Sequence, residues 1–501
     1  MHLCIIGSGA SGWLTANYLK ELKNISKVTL IGSPKIPHIG VGESTTLSFP
    51  KALKKFNVDI TSFIKESHAA VKYGVYYQNW GPKDFIHFFK SQGVFDRSSP
   101  KLSARKYIQL LGNKPKDTFI HDIYGNQLWK EAIGNNNIFL EHELTKKVLF
   151  KSDSEYPFSY HFDAGKFIEF LKSIALKSPK IQFVEETVLN VNFKGDDYID
   201  TLNLTNNINI QADYYVNTTG QGLDRKNIFK EKYDPLGHVL LTDKAVVYPL
   251  EYTNKREQFH PYTVAKTMKN GWRWITPTWE RIGTGYVFSS NHVSEDEAIN
   301  EFLEDIGDKS LQPKVVDFVP RISKKSFKLN HCSIGMANGF LEPLDAPGLA
   351  MTNLSMKKLS DVLEIYSNDI SSQNINELSN NKLYTQAIHT VNHLMSESYK
   401  FWVAFIFNQY KSCHRLDSSF WVDHKNIKFP PWDNIVKDLN KSCDDYHNDW
   451  DIMMVAVTLA SRDIPFSTPL PSEITPHNFP LKEKIFDTQH HLDWIESFHK
   501  L

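Results

Sequence analysis

The strongest constraint on the fold stands at the start of the chain. Leu3-Cys4-Ile5-Ile6 is a short apolar run that ends at Gly7-Ser8-Gly9-Ala10-Ser11-Gly12, and Trp13 to Lys20 then reads as a helix. Val28-Thr29-Leu30-Ile31 follows as a second buried strand. A strand, a glycine turn and a helix start are the parts of a dinucleotide site. Gly7 permits the tight turn, Gly9 lets a pyrophosphate approach the backbone, and Gly12 lets helix and strand pack closely. The phosphates then sit on the helix N-terminus, where free N–H groups and the dipole favour anions. The bland alternative is a plain tight turn; the flanking strand and helix speak for the site. The acidic residue usual after the second strand is replaced by Gly32-Ser33-Pro34, so Glu43 in Gly40-Val41-Gly42-Glu43-Ser44 is the nearest carboxylate for a ribose. A second glycine fingerprint for a nicotinamide is absent, which predicts one dinucleotide and no built-in reductase domain.

Composition narrows the rest. A chain of 501 residues exceeds one hydrophobic core, so two or more packed subdomains are expected. With 41% apolar and 23% charged residues it is neither disordered, collagen-like nor a coiled coil. Fifty-seven basic against 57 acidic side chains leave no basic excess for gripping nucleic acid or an anionic membrane. Cys4, Cys332, Cys413 and Cys443 form no Cys-x-x-Cys pair, which argues against a disulfide framework or zinc site and fits a reducing cytoplasm. The first residues lack the charged start and apolar core of a signal peptide, and no apolar run reaches the ~18 residues of a membrane span. His389 and His393 have metal-ligand helical spacing but no evident third ligand, so no metal is predicted.

Along the middle, Ile181 to Val184, Val188 to Phe193 and Tyr198 to Ile210 read as paired strands, with Lys194 to Asp197 as a turn. Ala212 to Asn217 leads into Thr218-Thr219-Gly220-Gln221-Gly222, a second strand-to-glycine edge for a cofactor. A further antiparallel sheet is expected from His238 to Ser290. Beyond about Met356 the pattern turns helical, with Lys382 to Phe405 as one long helix, and the segment from Lys382 to Phe420 is expected to roof the active site.

Separated stretches then resemble the flavin-dependent halogenases of the tryptophan-halogenase type. They are Gly7 to Trp13, Gly40 to Thr45, and Tyr160-His161-Phe162-Asp163-Ala164 before a helix. Gly271-Trp272-Arg273-Trp274-Ile275-Thr276-Pro277 is the Gly-Trp-x-Trp-x-x-Pro hallmark, and it continues through Arg281 to Ser290. Gly339-Phe340-Leu341-Glu342-Pro343-Leu344-Asp345-Ala346-Pro347-Gly348 is the next, and a weaker match is Arg415-Leu416-Asp417-Ser418-Ser419-Phe420-Trp421. The resemblance implies an α/β fold: an FAD-binding doubly wound domain of the glutathione-reductase or hydroxybenzoate-hydroxylase kind, an antiparallel substrate-side sheet and a C-terminal helical region. The expected division is an FAD module over residues 1–355, with an inserted sheet at about 225–325, and a helical substrate cover over 356–501.

The resemblance also implies chemistry. FAD is used as FADH2 from a separate reductase, oxygen and a halide ion yield hypohalous acid, and this travels to a lysine beside a small aromatic substrate. Gly7, Gly9, Ala10, Ser11, Gly12, Gly42, Glu43, Ser44, Gly335, Pro343 and Gly348 are the implied cofactor contacts. Trp272 and Trp274 shield the flavin from substrate and so prevent direct hydroxylation. The family lysine precedes an Asn-Trp pair by a fixed interval, and Val71-Lys72 through Asn79-Trp80 preserves both ends. Lys72 is therefore the expected delivery group; outside this motif it would be read as a solvated surface charge.

Three departures bear on function. Asp345 stands where relatives carry glutamate; it is either the second catalytic carboxylate or a helix N-cap, with Glu342 as the fallback. The halide-binding Ser-Thr-Gly is here Ala346-Pro347-Gly348, and Pro347 has no N–H, so one donor is lost. That predicts a preference for bromide and iodide over strongly hydrated chloride. The tyrosine pair that clamps the amino-acid end of tryptophan is missing from Trp450 to Val455, where Met453 and Met454 line a pocket or fill core. Phenols and indoles are the expected substrates, a homo-oligomer is possible on the family pattern, and an aromatic hydroxylase or a flavin-binding homologue without halogenation are the alternatives.

Overall fold

The structure is a computed structural model. It describes residues 1–34, 42–56, 58–81, 84–88, 137–140, 158–195, 197–221, 228–372, 374–411, 413–427 and 487–500. The contact pattern divides the chain into two compact units, each assembled from three stretches: residues 1–69, 160–244 and 316–400 in one, and 70–159, 245–315 and 401–501 in the other. The expected boundary near residue 355 falls inside the helix Pro347–Ser372 of the first unit.

The first unit is built on an all-parallel sheet ordered His331–Ser333, Tyr214–Asn217, His2–Ile6, Lys27–Ile31, Ile181–Val184. Parallel strands are covered on both faces and therefore read as continuous apolar runs. Leu3, Cys4, Ile5, Val28, Leu30, Tyr214, Tyr215 and Val216 are all fully buried, at ~2 kcal/mol for each large aliphatic side chain. The helix Ala10–Leu19 is buried from Gly12 to Leu19, and Asn17 ties it to the neighbouring helix Ala164–Ala175 through Leu171 O at 2.9 Å. Asp163 caps that second helix by accepting from the Lys166 N–H at 3.0 Å. These elements bear out the doubly wound α/β reading.

Local detail differs from the sequence reading in one respect. Ile181–Val184 does not join the following hairpin but forms the edge of the parallel sheet beside Lys27–Ile31. Val188–Phe193 pairs with Ile199–Leu204, and a turn with Asn206 and Asn207 in left-handed conformation separates the short strand Asn209–Ile210. A four-residue apolar run cannot by itself reveal which neighbour it will take.

The second unit centres on a seven-stranded sheet ordered Lys314–Asp317, Lys244–Leu250, Ile282–Phe288, Gly271–Pro277, Thr263–Met268, Gly74–Gln78, Phe85–Phe88. Thr263–Met268 to Ile282–Phe288 are antiparallel, as expected, but Gly74–Gln78 enters parallel to Thr263–Met268. The helix Glu295–Ile306, started by a Ser294–Glu297 capping box, covers one face through Ala298, Phe302 and Leu303. The long helix predicted from Lys382 runs to Lys411. Among the described residues no helix is long and apolar enough to cross a membrane.

Candidate active site

The glycine turn of the first unit meets each geometric demand read from its sequence. Gly7 has φ +114°, and a Cβ there would lie 2.6 Å from the Thr218 carbonyl oxygen. A Cβ on Gly12 would lie 1.9 Å from Gly7 O, so the helix can approach the strand only with glycine at that point. Gly9 is different: a Cβ there would meet nothing within 4 Å. Gly9 is also the N-cap of the helix Ala10–Leu19 and caps it with no side chain. The N–H groups of Ala10, Ser11 and Gly12 precede the first intrahelical bond, Trp13 N–H to Gly9 O. Open space before uncapped donors fits the pyrophosphate of FAD.

Distant segments converge on this turn. Thr218 donates to Ile6 O at 2.9 Å and to Gly7 O at 3.0 Å, tying the second strand edge to the first. Gly335, at φ +67°, passes so close to Ser11 that a Cβ would lie 2.3 Å from its hydroxyl. Ser11 Oγ in turn lies 3.4 Å from Thr352 Oγ1, and Thr352 donates to Gly348 O at 2.9 Å. The expected contacts Gly7 to Gly12, Gly335 and Gly348 are therefore brought together. Thr218 opens the second strand edge read from the sequence, whereas Thr352 was missed, although it sits four residues after Gly348, one helical turn.

Gly42–Ser44 forms a strand antiparallel to Ser159–Asp163, pairing Glu43 with Phe162. Residues 40 and 41 of that motif lie outside the described residues. Part of the Glu43 side chain meets solvent, yet the protein packed around its carboxyl raises the pKa from 4.5 to about 7 by desolvation.

Asp345 and Ala346 both adopt left-handed backbone conformations, with φ +60° and +58°. The turn closes with the Ala346 N–H donating to Pro343 O at 3.0 Å. Pro347 is the first residue of the helix Pro347–Ser372, where a missing N–H costs nothing. Ala346, not Asp345, stands directly before the helix. Gly348 is exposed in the first turn, and Glu342 is buried and accepts from Thr242 at 2.7 Å.

In the second unit Lys72 is completely buried at the end of the strand Ala70–Lys72, a rare place for a lysine. The Asn-Trp end of its motif is structural: Trp80 donates its indole N–H to Ala265 O at 2.8 Å, and Asn79 O accepts from Thr267 at 3.1 Å. The same strand Thr263–Met268 pairs Ala265 with Trp274 and Thr267 with Trp272.

The double-tryptophan strand is explained by its two faces. Arg273 bonds Asp305 of the covering helix at 2.7 Å and Thr284 at 2.9 Å. Strand alternation puts Trp272 and Trp274 on the opposite face, their ring centroids 6.2 Å apart. Trp274 lies against Gly285, where a Cβ would be 2.2 Å from the indole. The Trp272 indole N–H is buried without a hydrogen-bond partner among the described residues. The Arg415–Trp421 segment braces this hairpin: Arg415 makes a bidentate pair with Asp417, and Trp421 donates to Met268 O at 3.0 Å.

Other expectations resolve simply. His389 and His393 are exposed on their helix, and no group of three or more acidic, His or Cys side chains is arranged for a metal among the described residues. Cys4, Cys332 and Cys413 are buried, and burial pushes the Cys4 and Cys332 thiols up. The substrate-pocket stretch Trp450 to Val455 lies outside the described residues.

The sequence model of the tryptophan halogenase family matches residues 2–454. Tryptophan 7-halogenase RebH of Lentzea aerocolonigenes is 27% identical over 377 residues, covering 71% of this chain and 69% of its own. The 7-chloro-L-tryptophan 6-halogenase KtzR of a Kutzneria strain is 26% identical over 445 residues, covering 85% and 82%. In fold, the chain resembles the tryptophan halogenase of Shewanella frigidimarina with a TM-score of 0.82 at 20% identity, over 100% of this chain and 98% of that one. The flavin-dependent halogenase Xcc4156 of Xanthomonas campestris gives a TM-score of 0.73 at 20% identity, over 100% and 94%.

Proposed function

The chain belongs to the tryptophan halogenase family of flavin-dependent enzymes, and on that premise we propose that it halogenates electron-rich arenes, indoles and phenols, with FADH2 supplied by a separate reductase. The single observation that carries the reading is the complete burial of Lys72 in the motif that marks the family's delivery lysine. A lysine is kept in such a place at a cost that a merely solvated charge would not incur.

Bound reduced flavin supplies the oxidation of halide to hypohalous acid by oxygen. The residues that would hold FAD are Gly7, Gly9, Ala10, Ser11 and Gly12 at the phosphates, Gly42, Glu43 and Ser44 at the ribose side, and Gly335, Pro343 and Gly348 along the flavin. Lys72 holds the hypohalous acid beside the ring and fixes which carbon it reaches. Asp345 accepts the ring proton after attack. Trp272 and Trp274 keep the substrate from the flavin, so that the oxygen atom is not transferred directly. Pro347 and Gly348 bound the halide site, and with only the Gly348 N–H available from this pair the site favours bromide and iodide over chloride. Relatives whose names specify tryptophan make an indole ring the leading substrate, while the missing tyrosine clamp argues against the free amino acid.

The test is mass spectrometry of an indole and phenol panel with FAD, a reductase, NADH and equal chloride, bromide and iodide. Brominated or iodinated product in excess of chlorinated product is expected. A clear chloride preference would overturn the halide assignment, and a gain of one oxygen without halogen would replace the whole reading by hydroxylation.

A further inference from the structure

The backbone on either side of Lys72 is pinned, and one of the two pins comes from the far end of the chain. The Val71 N–H donates to Nε2 of His491 at 3.0 Å. The Tyr73 N–H donates to Pro261 O at 2.8 Å. His491 is itself fully buried and places Nδ1 3.1 Å from Phe259 O. Because Nε2 accepts from an amide, the ring is neutral with its proton on Nδ1, which donates to Phe259 O. Burial holds its pKa down at about 3, which favours the neutral ring.

The ring is held as firmly as it holds. It stacks on the Phe259 ring at 4.5 Å and 19°. Its helix, His491–His499, is clamped to the same stretch of chain by the bidentate pair Arg256–Asp493 at 2.8 and 3.0 Å and by His499 stacked on Trp279 at 4.2 Å. Phe259 and Pro261 thus receive both tethers of the Lys72 strand. The helix lies beyond residue 454, where the family match ends, so nothing in the family pattern assigns it a role.

We infer that His491 is a positioning residue for Lys72: it fixes the peptide before the lysine and thereby aims the amine. The inference rests on the reading of Lys72 as the group that delivers hypohalous acid. An aimed amine passes the halogen to the bound ring, whereas an amine on a loose strand lets the oxidant escape. Misplacement of about 1 Å in such a group is enough for a large loss.

The experiment uses the full chain with FAD, a flavin reductase, NADH, bromide and indole, in the presence of a dione that traps free hypobromite. The readout is bromoindole formed against dione brominated, at equal flavin oxidation. His491→Gln keeps an acceptor at the place of Nε2, and His491→Asn keeps only a donor at the place of Nδ1. We expect His491→Gln to hold the wild-type partition, and His491→Asn to shift it roughly tenfold toward the dione. A purely structural role for His491 would move stability in both variants without separating their partitions. Should His491→Asn be too unstable to purify, His491→Leu, which fills the space against Phe259 but makes neither bond, carries the same expectation. Lys72→Ala serves as the reference: a wild-type partition there overturns the lysine reading and the inference with it. Loss in Lys72→Ala with no loss in His491→Asn or His491→Leu, or equal loss in His491→Gln, overturns the inference alone.

Discussion

A methyl group on Gly12 would sit 1.9 Å from the carbonyl oxygen of Gly7, where helix and strand touch, whereas one on Gly9 would meet nothing within 4 Å. Packing therefore demands glycine at position 12 but not at position 9, where the proposed role is the approach of a ligand. Gly12→Ala should cost about 3 kcal/mol or more, because the added carbon runs into the Gly7 backbone and the Thr218 hydroxyl. Gly9→Ala should leave the apoprotein within about 0.5 kcal/mol of wild type yet weaken FAD binding at least several-fold. Denaturant unfolding of the apoproteins and a fluorescence titration with FAD check both. Unchanged FAD affinity in Gly9→Ala would remove the pyrophosphate from this turn.

Backbone strain beside the proposed halide site gives a second expectation. Ala346 holds φ +58° directly before the helix Pro347–Ser372, a conformation that costs an L-residue ~1–2 kcal/mol. Ala346→Gly relieves it and should raise stability by about 1 kcal/mol after the entropy gained by the unfolded chain is subtracted. Urea unfolding is the check. Destabilisation would mean that the Ala346 methyl makes contacts worth more than the strain.

Buried charge near the end of the parallel sheet gives a third. Lys328 Nζ lies 3.1 Å from Glu231 Oε2, with side chains only 6% and 1% exposed. Ser333 donates to the other carboxylate oxygen at 2.8 Å, and Asn217 reaches Ser333 at 3.3 Å. Lys328→Met strands a buried carboxylate and should cost ~3–5 kcal/mol, while the double change Lys328→Met with Glu231→Leu should recover most of that loss. A double-mutant cycle by denaturant unfolding measures the coupling, and additive losses would contradict it.

Sequence patterns exposed the parallel sheet and the glycine turn because both obey local rules: unbroken apolar strands and a backbone that tolerates no Cβ. The tryptophan strand was legible as a motif, but its reason was not. Gly285, eleven residues after Trp274, proves to be the floor on which that indole rests, and only the register of the two strands reveals it. Ile181–Val184 was misassigned to a hairpin since four apolar residues fit either neighbour. His491 was beyond sequence reasoning altogether: a histidine 420 residues from its partner carries no periodic or spacing signal.

The Glu43 carboxyl supplies a pH test. Raised to about 7 from 4.5 by desolvation, it binds a proton more tightly in the folded protein than in the unfolded chain. Its favourable contribution is complete below about pH 4.5 and is lost as the pH rises through about 7. Glu43→Gln should match wild type in apoprotein stability near pH 4.5 and exceed it near pH 8. Melting temperatures across that window decide the matter; a constant difference would show that the carboxyl is not desolvated.

Delivery of the halogen by Lys72 can be tested in a single comparison. Wild type and Lys72→Ala are supplied with FAD, a reductase, NADH, bromide and indole, and both flavin oxidation and bromoindole are followed. Equal flavin oxidation is expected in the two proteins, with bromoindole formed by wild type and lost from Lys72→Ala. Equal bromination by both would contradict it, since the hypobromite would then be reaching indole without the lysine.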